Sequence, residues 1–245
     1  MKAMIFAAGL GSRLKPITDT IPKALVAVNN ITLLEHTIIR LKETGFDEII
    51  INVHHFADQI ISFLYSKNNF DIRIEISDER DQLLETGGGI KKASHFFNDD
   101  TPFLIHNVDI LSNVNLFSFY EYMINNHCTA ALVVSQRNSS RYLLFNENND
   151  LAGWINEKTG EIKSPYKNLN LENYKKYAFG GIHMLSPCIF NWMNDNWQGS
   201  FSIIDFYLSL CDQTSIKGFI QQDLELIDVG KPDALDYLNK KRYSF

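Results

Sequence analysis

The sequence predicts an α/β fold with a mixed, mainly parallel sheet flanked by helices. Two observations carry this. Through the first half, short apolar runs alternate with stretches whose apolar residues recur at helical spacing, the pattern of stacked β-α units. Beyond about residue 140 the pattern changes to close-set apolar runs separated by turn residues, which predicts a small β-rich lobe.

Taken in order, Met4 to Ala8 is a short buried strand. Ile31, Leu34, Ile38 and Leu41 recur at helical spacing, and Gly45 closes that helix as a C-cap. Glu48 to Val53 reads as a buried parallel strand, Ala57 to Ser66 as a helix, and Ile72, Ile74 and Ile76 alternate as a strand. Gly87-Gly88-Gly89 leads into a short helix through Ala93. Phe103 to Ile105 is a strand running out at Asn107 and Asp109, followed by a helix over Leu116 to Asn126 and a strand over Ala130 to Val134. Tyr142 to Phe145 and Leu151 to Ile155 form a hairpin across Asn-Glu-Asn-Asn-Asp. Residues 156–176 are polar and turn-rich and read as a mobile loop. Ala178 to Leu185 is a strand, Ser186-Pro187 starts a helix, and Ser202 with Asp205 reads as a capping box for a helix through Leu210. A strand over Leu224 to Val229 and a helix begun by Pro232 complete the pattern.

A chain of 245 residues can bury one compact core, and 45% hydrophobic with 21% charged residues is ordinary for a globular protein. The net charge of -6 argues against a general nucleic-acid binder, so an anionic ligand must be met by a local basic cluster. Cys128, Cys188 and Cys211 are widely spaced with no CxxC pair, which suits reduced, buried thiols. No signal-peptide pattern and no apolar run of membrane-spanning length (about 18 residues) is present, so the expected location is cytoplasmic with no membrane partner.

The chemistry concentrates in the first twenty-five residues. After the first strand, Ala7, Ala8, Gly9, Leu10, Gly11 and Ser12 are small or turn-forming, and Arg13 and Lys23 follow at fixed offsets. Small residues and glycines let amide N–H groups approach a polyphosphate closely, and the two cations bring charge to it. A dinucleotide fingerprint would need glycine at Leu14, and a P-loop would need Gly-Lys-Ser/Thr after four spacers; neither is present. In open α/β sheets ligands sit at the carboxyl ends of strands. Glu85 to Gly89, Asn107 to Asp109 and Asp228-Val229-Gly230 fall at such ends too. Singly, Asp109 and Asp228 read as strand-end caps. With the phosphate loop they read as the two carboxylates that hold Mg²⁺ against substrate phosphates.

Phe6 to Thr18, with Pro22-Lys23-Ala24-Leu25, resembles the opening signature of the sugar-1-phosphate nucleotidyltransferase family. Leu83 to Ile90 resembles the base-binding segment of its N-acetylmuramate-1-phosphate uridylyltransferase and mannose-1-phosphate guanylyltransferase branch. Asn107-Val108-Asp109, Ala178 to Ile182 and Ile227 to Pro232 resemble the metal-binding Asp, the sugar-pocket strand, and the second metal Asp with its exit helix. Val108 departs from the small residue usual before that Asp, Pro-Lys-Ala replaces Pro-Lys-Pro, and no Glu-Lys-Pro sugar motif is clear, Asn156-Glu157-Lys158 standing nearby. No C-terminal β-helix or acetyltransferase segment follows.

The resemblance implies a GT-A-like, Rossmann-like fold forming one domain over 1–245. Its nucleotide-binding half is 1–135, and its sugar-binding half, with the second metal Asp, is 136–245. It implies transfer of a nucleoside monophosphate from a nucleoside triphosphate to a hexose-type sugar 1-phosphate, with release of pyrophosphate, in nucleotide-sugar biosynthesis of the kind that feeds cell-envelope polysaccharide. UTP is favoured, and guanylyl or cytidylyl transfer or a non-catalytic regulatory protein are the alternatives. Arg13, Lys23 and Asp109 would be catalytic, Arg13 on the leaving pyrophosphate and Lys23 on the reacting phosphates. Ala7 to Ser12, Asn52, Glu85, Thr86, Gly87 and Gly88 would bind the nucleotide. Asn107, Asn156, Gly180 and Gly181 would bind the sugar, and Asp109 and Asp228 would hold Mg²⁺.

Other groups read more simply. His54-His55 are solvated or base-stacking loop residues, His106 is a packed, hydrogen-bonded core group, and Trp154 reads as core or interface ahead of a residue that stacks on a sugar. Lys240-Lys241-Arg242 reads as a solvated helix end.

Overall fold

The computed structural model describes residues 1–230 and 232–240. The chain opens with β1 (Lys2–Phe6), followed by three single-turn 3₁₀ helices that carry the glycine turn and Pro22-Lys23. A two-residue ribbon, β2 (Ala27–Val28) against β3 (Ile31–Thr32), leads into α1 (Leu33–Glu43). Then come β4 (Glu48–Val53), α2 (Ala57–Ser66), β5 (Arg73–Asp78), α3 (Glu85–Lys92), β6 (Phe103–Asn107), β7 (Ile110–Ser112), α4 (Leu116–Asn125) and β8 (Ala130–Ser135). The second half contains β9 (Arg141–Phe145), β10 (Leu151–Asn156), β11 (Glu161–Lys163), β12 (Lys175–Leu185), α5 (Ile203–Leu210), β13 (Ile216–Phe219), β14 (Leu226–Asp228) and α6 (Pro232–Lys240).

These elements form two compact units. The first comprises residues 1–84, 104–113 and the segment from Glu225 onward. Its strands are parallel in the order β6-β1-β4-β5, with Phe6 level with Asn107 on one side and Asn52 on the other. Ile49, Ile50, Ile51 and Val53 of β4 are all buried, as expected for a parallel strand covered on both faces. In α1, Leu34, Ile38 and Leu41 are buried at helical spacing. The helix starts two residues later than the spacing alone predicts, because Ile31 pairs in the ribbon and the Thr32 hydroxyl accepts the Glu35 amide at 3.1 Å as N-cap. Gly45 closes it at φ 90°, as expected of a C-cap.

The second unit comprises residues 85–103 and 114–224. β8 pairs antiparallel with β12 and parallel with β13, while β12, β9, β10 and β11 form a successive antiparallel array. The fold is therefore the expected α/β one, a mixed sheet with flanking helices and a small β-rich lobe.

Three local expectations are corrected. Part of the 156–176 loop is the strand β11, whose Glu-Ile-Lys sequence is too polar to announce a strand and which is held by pairing Ile162 with Ile155. Ser186-Pro187 begins a five-residue 3₁₀ helix, Pro187–Asn191, rather than an α-helix. Among the cysteines, Cys128 and Cys211 are buried free thiols but Cys188 is exposed. No helix among the described residues is long and apolar enough to cross a membrane. Of the basic run near residue 240, Lys241 and Arg242 lie outside the described residues.

Candidate active site

The glycine loop leaves β1 and is pinned from β4. Asn52 Oδ1 accepts the amides of Ala7 at 2.8 Å and Ala8 at 3.3 Å. Asn52 Nδ2 in turn donates to Glu79 Oε1 at 2.9 Å, and Glu79 Oε2 accepts the Leu84 amide at 3.2 Å. His54, read from sequence as a loop residue, holds the Glu79 carbonyl through Nδ1 at 2.7 Å. The Ala7 and Ala8 amides are thus committed to the protein, and the loop amides open to a ligand begin at Gly9. Asn52 positions the loop; Glu79, which sequence reasoning missed, positions Asn52.

Beyond that pin the chain turns through Gly11, whose φ of 64° falls in the left-handed region that glycine enters without cost. The Thr18 hydroxyl donates to the Gly11 carbonyl at 2.7 Å and holds the turn. The result is a cavity of about 360 Å³ lined by Gly9 to Arg13, Lys23, Asp109 and Gly230, all within the first unit.

Two cation–carboxylate pairs meet at this cavity. Lys23 Nζ is ion-paired with Asp109 Oδ2, with side chains only 10% and 19% exposed. Arg13 and Asp228 stand 3.7 Å apart. The two acids come together because β7 pairs antiparallel with β14, placing Asp228 opposite Ile110, and because the Val229 amide donates to the Asp109 carbonyl at 2.8 Å. A side chain at Gly230 would meet an Arg13 guanidinium nitrogen and Asp228 Oδ1, each at 2.5 Å. Asp228 Oδ1 is buried with no hydrogen-bond partner among the described residues. A buried, unpartnered carboxylate oxygen is a hard donor that suits Mg²⁺, an ion usually held by one or two carboxylates together with phosphates.

The remaining sequence-predicted residues are placed as follows. Asn107 ends β6 in the first unit, and its carbonyl accepts His106 Nδ1–H at 2.8 Å. His106 itself is 2% exposed, the core group expected. The Glu85 to Gly88 segment lies in the second unit and inside α3, with Glu85 at φ 56°. Thr86 Oγ1 accepts the Ile203 amide at 3.0 Å and the Gly87 amide donates to the Phe201 carbonyl at 2.8 Å. A Cβ on Gly87 would collide with the Phe201 ring, so this glycine answers to packing beside α5. Gly180 and Gly181 lie in β12 where its register against β8 shifts, and Gly181 has φ 72°.

A second cavity, of about 460 Å³, belongs wholly to the second unit. The expected sugar residue Asn156 lines it, beside Phe179 and residues that nothing in the sequence singles out: Arg137, Arg141, Glu161 and Lys163. Trp154 also lines it, half-buried. Asp205, expected to complete a capping box, is instead ion-paired with Lys163 at 2.8 Å; the Ser202 hydroxyl alone caps α5.

The fold defines a mixed α/β protein that carries its glycine loop at the carboxyl end of β1. The chain belongs to the nucleotidyl transferase family, whose model matches residues 2–243. It is 43% identical over 109 residues to N-acetylmuramate alpha-1-phosphate uridylyltransferase of Caulobacter vibrioides, covering 44% of this chain and 45% of that protein. It is 28% identical over 248 residues to UTP–glucose-1-phosphate uridylyltransferase of Synechocystis, covering 95% of this chain and 61% of that one. The matches thus span about half to three-fifths of these relatives' length. Among solved structures, HddC from Yersinia pseudotuberculosis complexed with GMP-PN superposes with a TM-score of 0.76 at 21% identity, covering 99% of each chain. UDP-glucose pyrophosphorylase complexed with UDP-glucose gives 0.74 at 18% identity, covering 98% of this chain and 97% of that one. At these identities the structural likeness establishes the fold.

Proposed function

We propose that the chain is a Mg²⁺-dependent sugar-1-phosphate nucleotidyltransferase. An oxygen of a hexose-type sugar 1-phosphate attacks the α-phosphorus of a nucleoside triphosphate, and pyrophosphate leaves. The observation that carries this reading is the convergence of the Lys23–Asp109 pair and the Arg13–Asp228 pair on the glycine-loop cavity. The attacking phosphate has a second pKa of about 6 and is largely dianionic at neutral pH, so no general base is required. Catalysis then reduces to positioning and charge neutralisation.

In this scheme the Gly9 to Ser12 amides take the triphosphate. The Arg13 guanidinium forks onto the departing β,γ-phosphates, and Lys23, freed from sole commitment to Asp109, contacts the α-phosphate. Asp109 and Asp228 would hold Mg²⁺, which when bound neutralises phosphate charge and polarises the phosphoryl oxygens. Asn107, Asn156, Gly180 and Gly181 would contact the sugar, as the resemblance implies. UTP is the favoured nucleotide, supported by the uridylyltransferase names of two relatives, and a cytoplasmic location follows from a nucleoside triphosphate substrate.

The test is pyrophosphate release from UTP, GTP, CTP, dTTP and ATP, each paired with several sugar 1-phosphates, with Mg²⁺ and with chelator. Release with at least one pair, abolished by chelator, is expected. No release with any pair from folded protein overturns the transferase reading, and a preference for another nucleotide overturns the assignment of UTP alone.

A further inference from the structure

We propose that Lys23 and Arg13 form a latch on the two carboxylates, so that the site takes a divalent cation together with a triphosphate and not alone; this rests on the transferase reading above. All four side chains belong to the first unit. Each acid assigned to Mg²⁺ is already matched by a cation of the chain itself. Lys23 Nζ is ion-paired with Asp109 Oδ2, and Arg13 Nη1 stands 3.7 Å from Asp228 Oδ2. Two cations face two carboxylates, and the local charge cancels.

The two halves of the latch differ. The Lys23–Asp109 pair is mostly shielded from water, so taking the carboxylate alone strands an ammonium in a poorly solvated place. The Arg13 pair is exposed and weak, but the guanidinium is well placed to obstruct. A Cβ on Gly230 would stand 2.5 Å from both an Arg13 nitrogen and Asp228 Oδ1, so the guanidinium and that buried, unpartnered oxygen flank one spot.

Lys23 also has a second partner within reach. Its Cβ is 3.2 Å from where a Cβ on Gly11 would stand, so its stem packs on the glycine turn that lines the same cavity. A triphosphate held by that turn offers the ammonium a new anion and the guanidinium a bidentate one. Asp109 and Asp228 are then left needing positive charge, which a divalent ion on the same phosphates supplies. A free divalent ion would have to unseat both cations with no anion to receive them. Any ligand that favours the open latch therefore raises the affinity for another that needs it open, and the coupling is reciprocal.

The experiment measures Mn²⁺ binding to the full chain without nucleotide, from the electron paramagnetic resonance signal of the free ion. Mn²⁺ prefers the same oxygen ligands as Mg²⁺. Lys23→Met should bind it about tenfold or more tighter than the parent, within the usual range of coupling between two ligands. Arg13→Met should show a smaller, few-fold gain, as an exposed pair allows. Adding Asp109→Asn to Lys23→Met should remove the gain. Excess Mg²⁺ should raise the thermal midpoint of Lys23→Met by more than that of the parent. If Lys23→Met does not fold without metal, recovery on adding Mn²⁺ supports the latch, and Arg13→Met, changed at an exposed position, carries the comparison otherwise. Parent protein that binds Mn²⁺ as tightly as the folded variants overturns the proposal, and so does a gain that survives Asp109→Asn. Pyrophosphate release decides the transferase reading separately. Tighter metal binding by the variants, with no release from any substrate pair by the parent, would overturn that reading alone. Release by the parent, with no gain in either variant, would overturn the latch alone.

Discussion

Asn52 and Glu79 form a hydrogen-bonded pair in which both side chains are 1% exposed, and the pair joins the glycine loop to β4 and to the chain at Leu84 that enters α3. Asn52→Ala would leave the Ala7 and Ala8 amides buried without acceptors. Each orphaned buried group costs about 1–3 kcal/mol. We expect Asn52→Ala and Glu79→Ala to lower the thermal midpoint by several degrees. Because the pair touches the loop and not the reacting phosphates in our scheme, the KM for the nucleotide should rise more than kcat falls. Unchanged nucleotide affinity in both variants would show that the network supports the core without shaping the loop.

Arg13 and Lys23 should separate activity from stability. Arg13 is 55% exposed and lies 3.7 Å from Asp228, a pair that contributes little in water. Lys23 is 10% exposed and closely paired with Asp109, so its removal leaves a carboxylate only 19% exposed without a partner. Both Arg13→Ala and Lys23→Ala should cut turnover by about 10²–10³, the loss seen when a preorganised charge-stabilising donor is deleted. Only Lys23→Ala should lower the unfolding free energy by more than about 1 kcal/mol. Equal stability losses in urea titrations would contradict this ordering, and near-normal turnover of either variant would remove that residue from the catalytic scheme.

Gly87 offers a choice between packing and ligand approach. Its Cβ position is filled by the Phe201 ring, and the Phe201 carbonyl accepts its amide at 2.8 Å. Gly87→Ala should therefore destabilise the protein by about 1–3 kcal/mol through overpacking. Combining it with Phe201→Ala should give a loss smaller than the sum of the two single losses, because the second change removes the ring clash and leaves only the tight approach to the Phe201 carbonyl at 2.9 Å. If Gly87→Ala keeps its thermal midpoint but loses nucleotide affinity, the glycine serves the ligand as the sequence suggested.

What was legible in the sequence was whatever backbone chemistry writes locally. The Gly9 to Arg13 turn, Pro22-Lys23 and the apolar strands β1 and β4 announce themselves through residue type and spacing. The pairing of β7 with β14 does not. Each is three residues long, and the bonds that place Asp228 opposite Ile110 span more than a hundred positions. Asn52 could be singled out as a polar residue ending an apolar run, whereas Glu79 lies in a polar stretch, Asp78 to Gln82, where nothing distinguishes a buried acid from a solvated one. Arg141 precedes the strand expected from Tyr142, and Glu161 and Lys163 fall in the stretch that reads as a loop, so singly all three read as solvated residues. Only the three-strand register, with Asn156 between Arg141 and Glu161, collects them on one face.

His106 makes stability depend on pH in a predictable direction. Burial, and then the charge of Arg40, push its pKa down from 6.5 to about 4. The neutral imidazole donates Nδ1–H to the Asn107 carbonyl at 2.8 Å. In the unfolded chain the ring protonates near 6.5, so between that value and about 4 the unfolded state binds more protons than the folded one. The contribution is complete above pH 6.5 and is lost as pH falls through the folded value, amounting to about 3 kcal/mol in all. His106→Leu removes the titrating ring while leaving every carboxylate in place. Urea midpoints measured from pH 7.5 to 4.5 should therefore fall more steeply in the parent protein than in His106→Leu, with the difference opening below 6.5. Parallel slopes would mean that the ring titrates alike in both states. A histidine proton resonance that shifts with a midpoint near 6.5 in the folded protein would show the same thing directly.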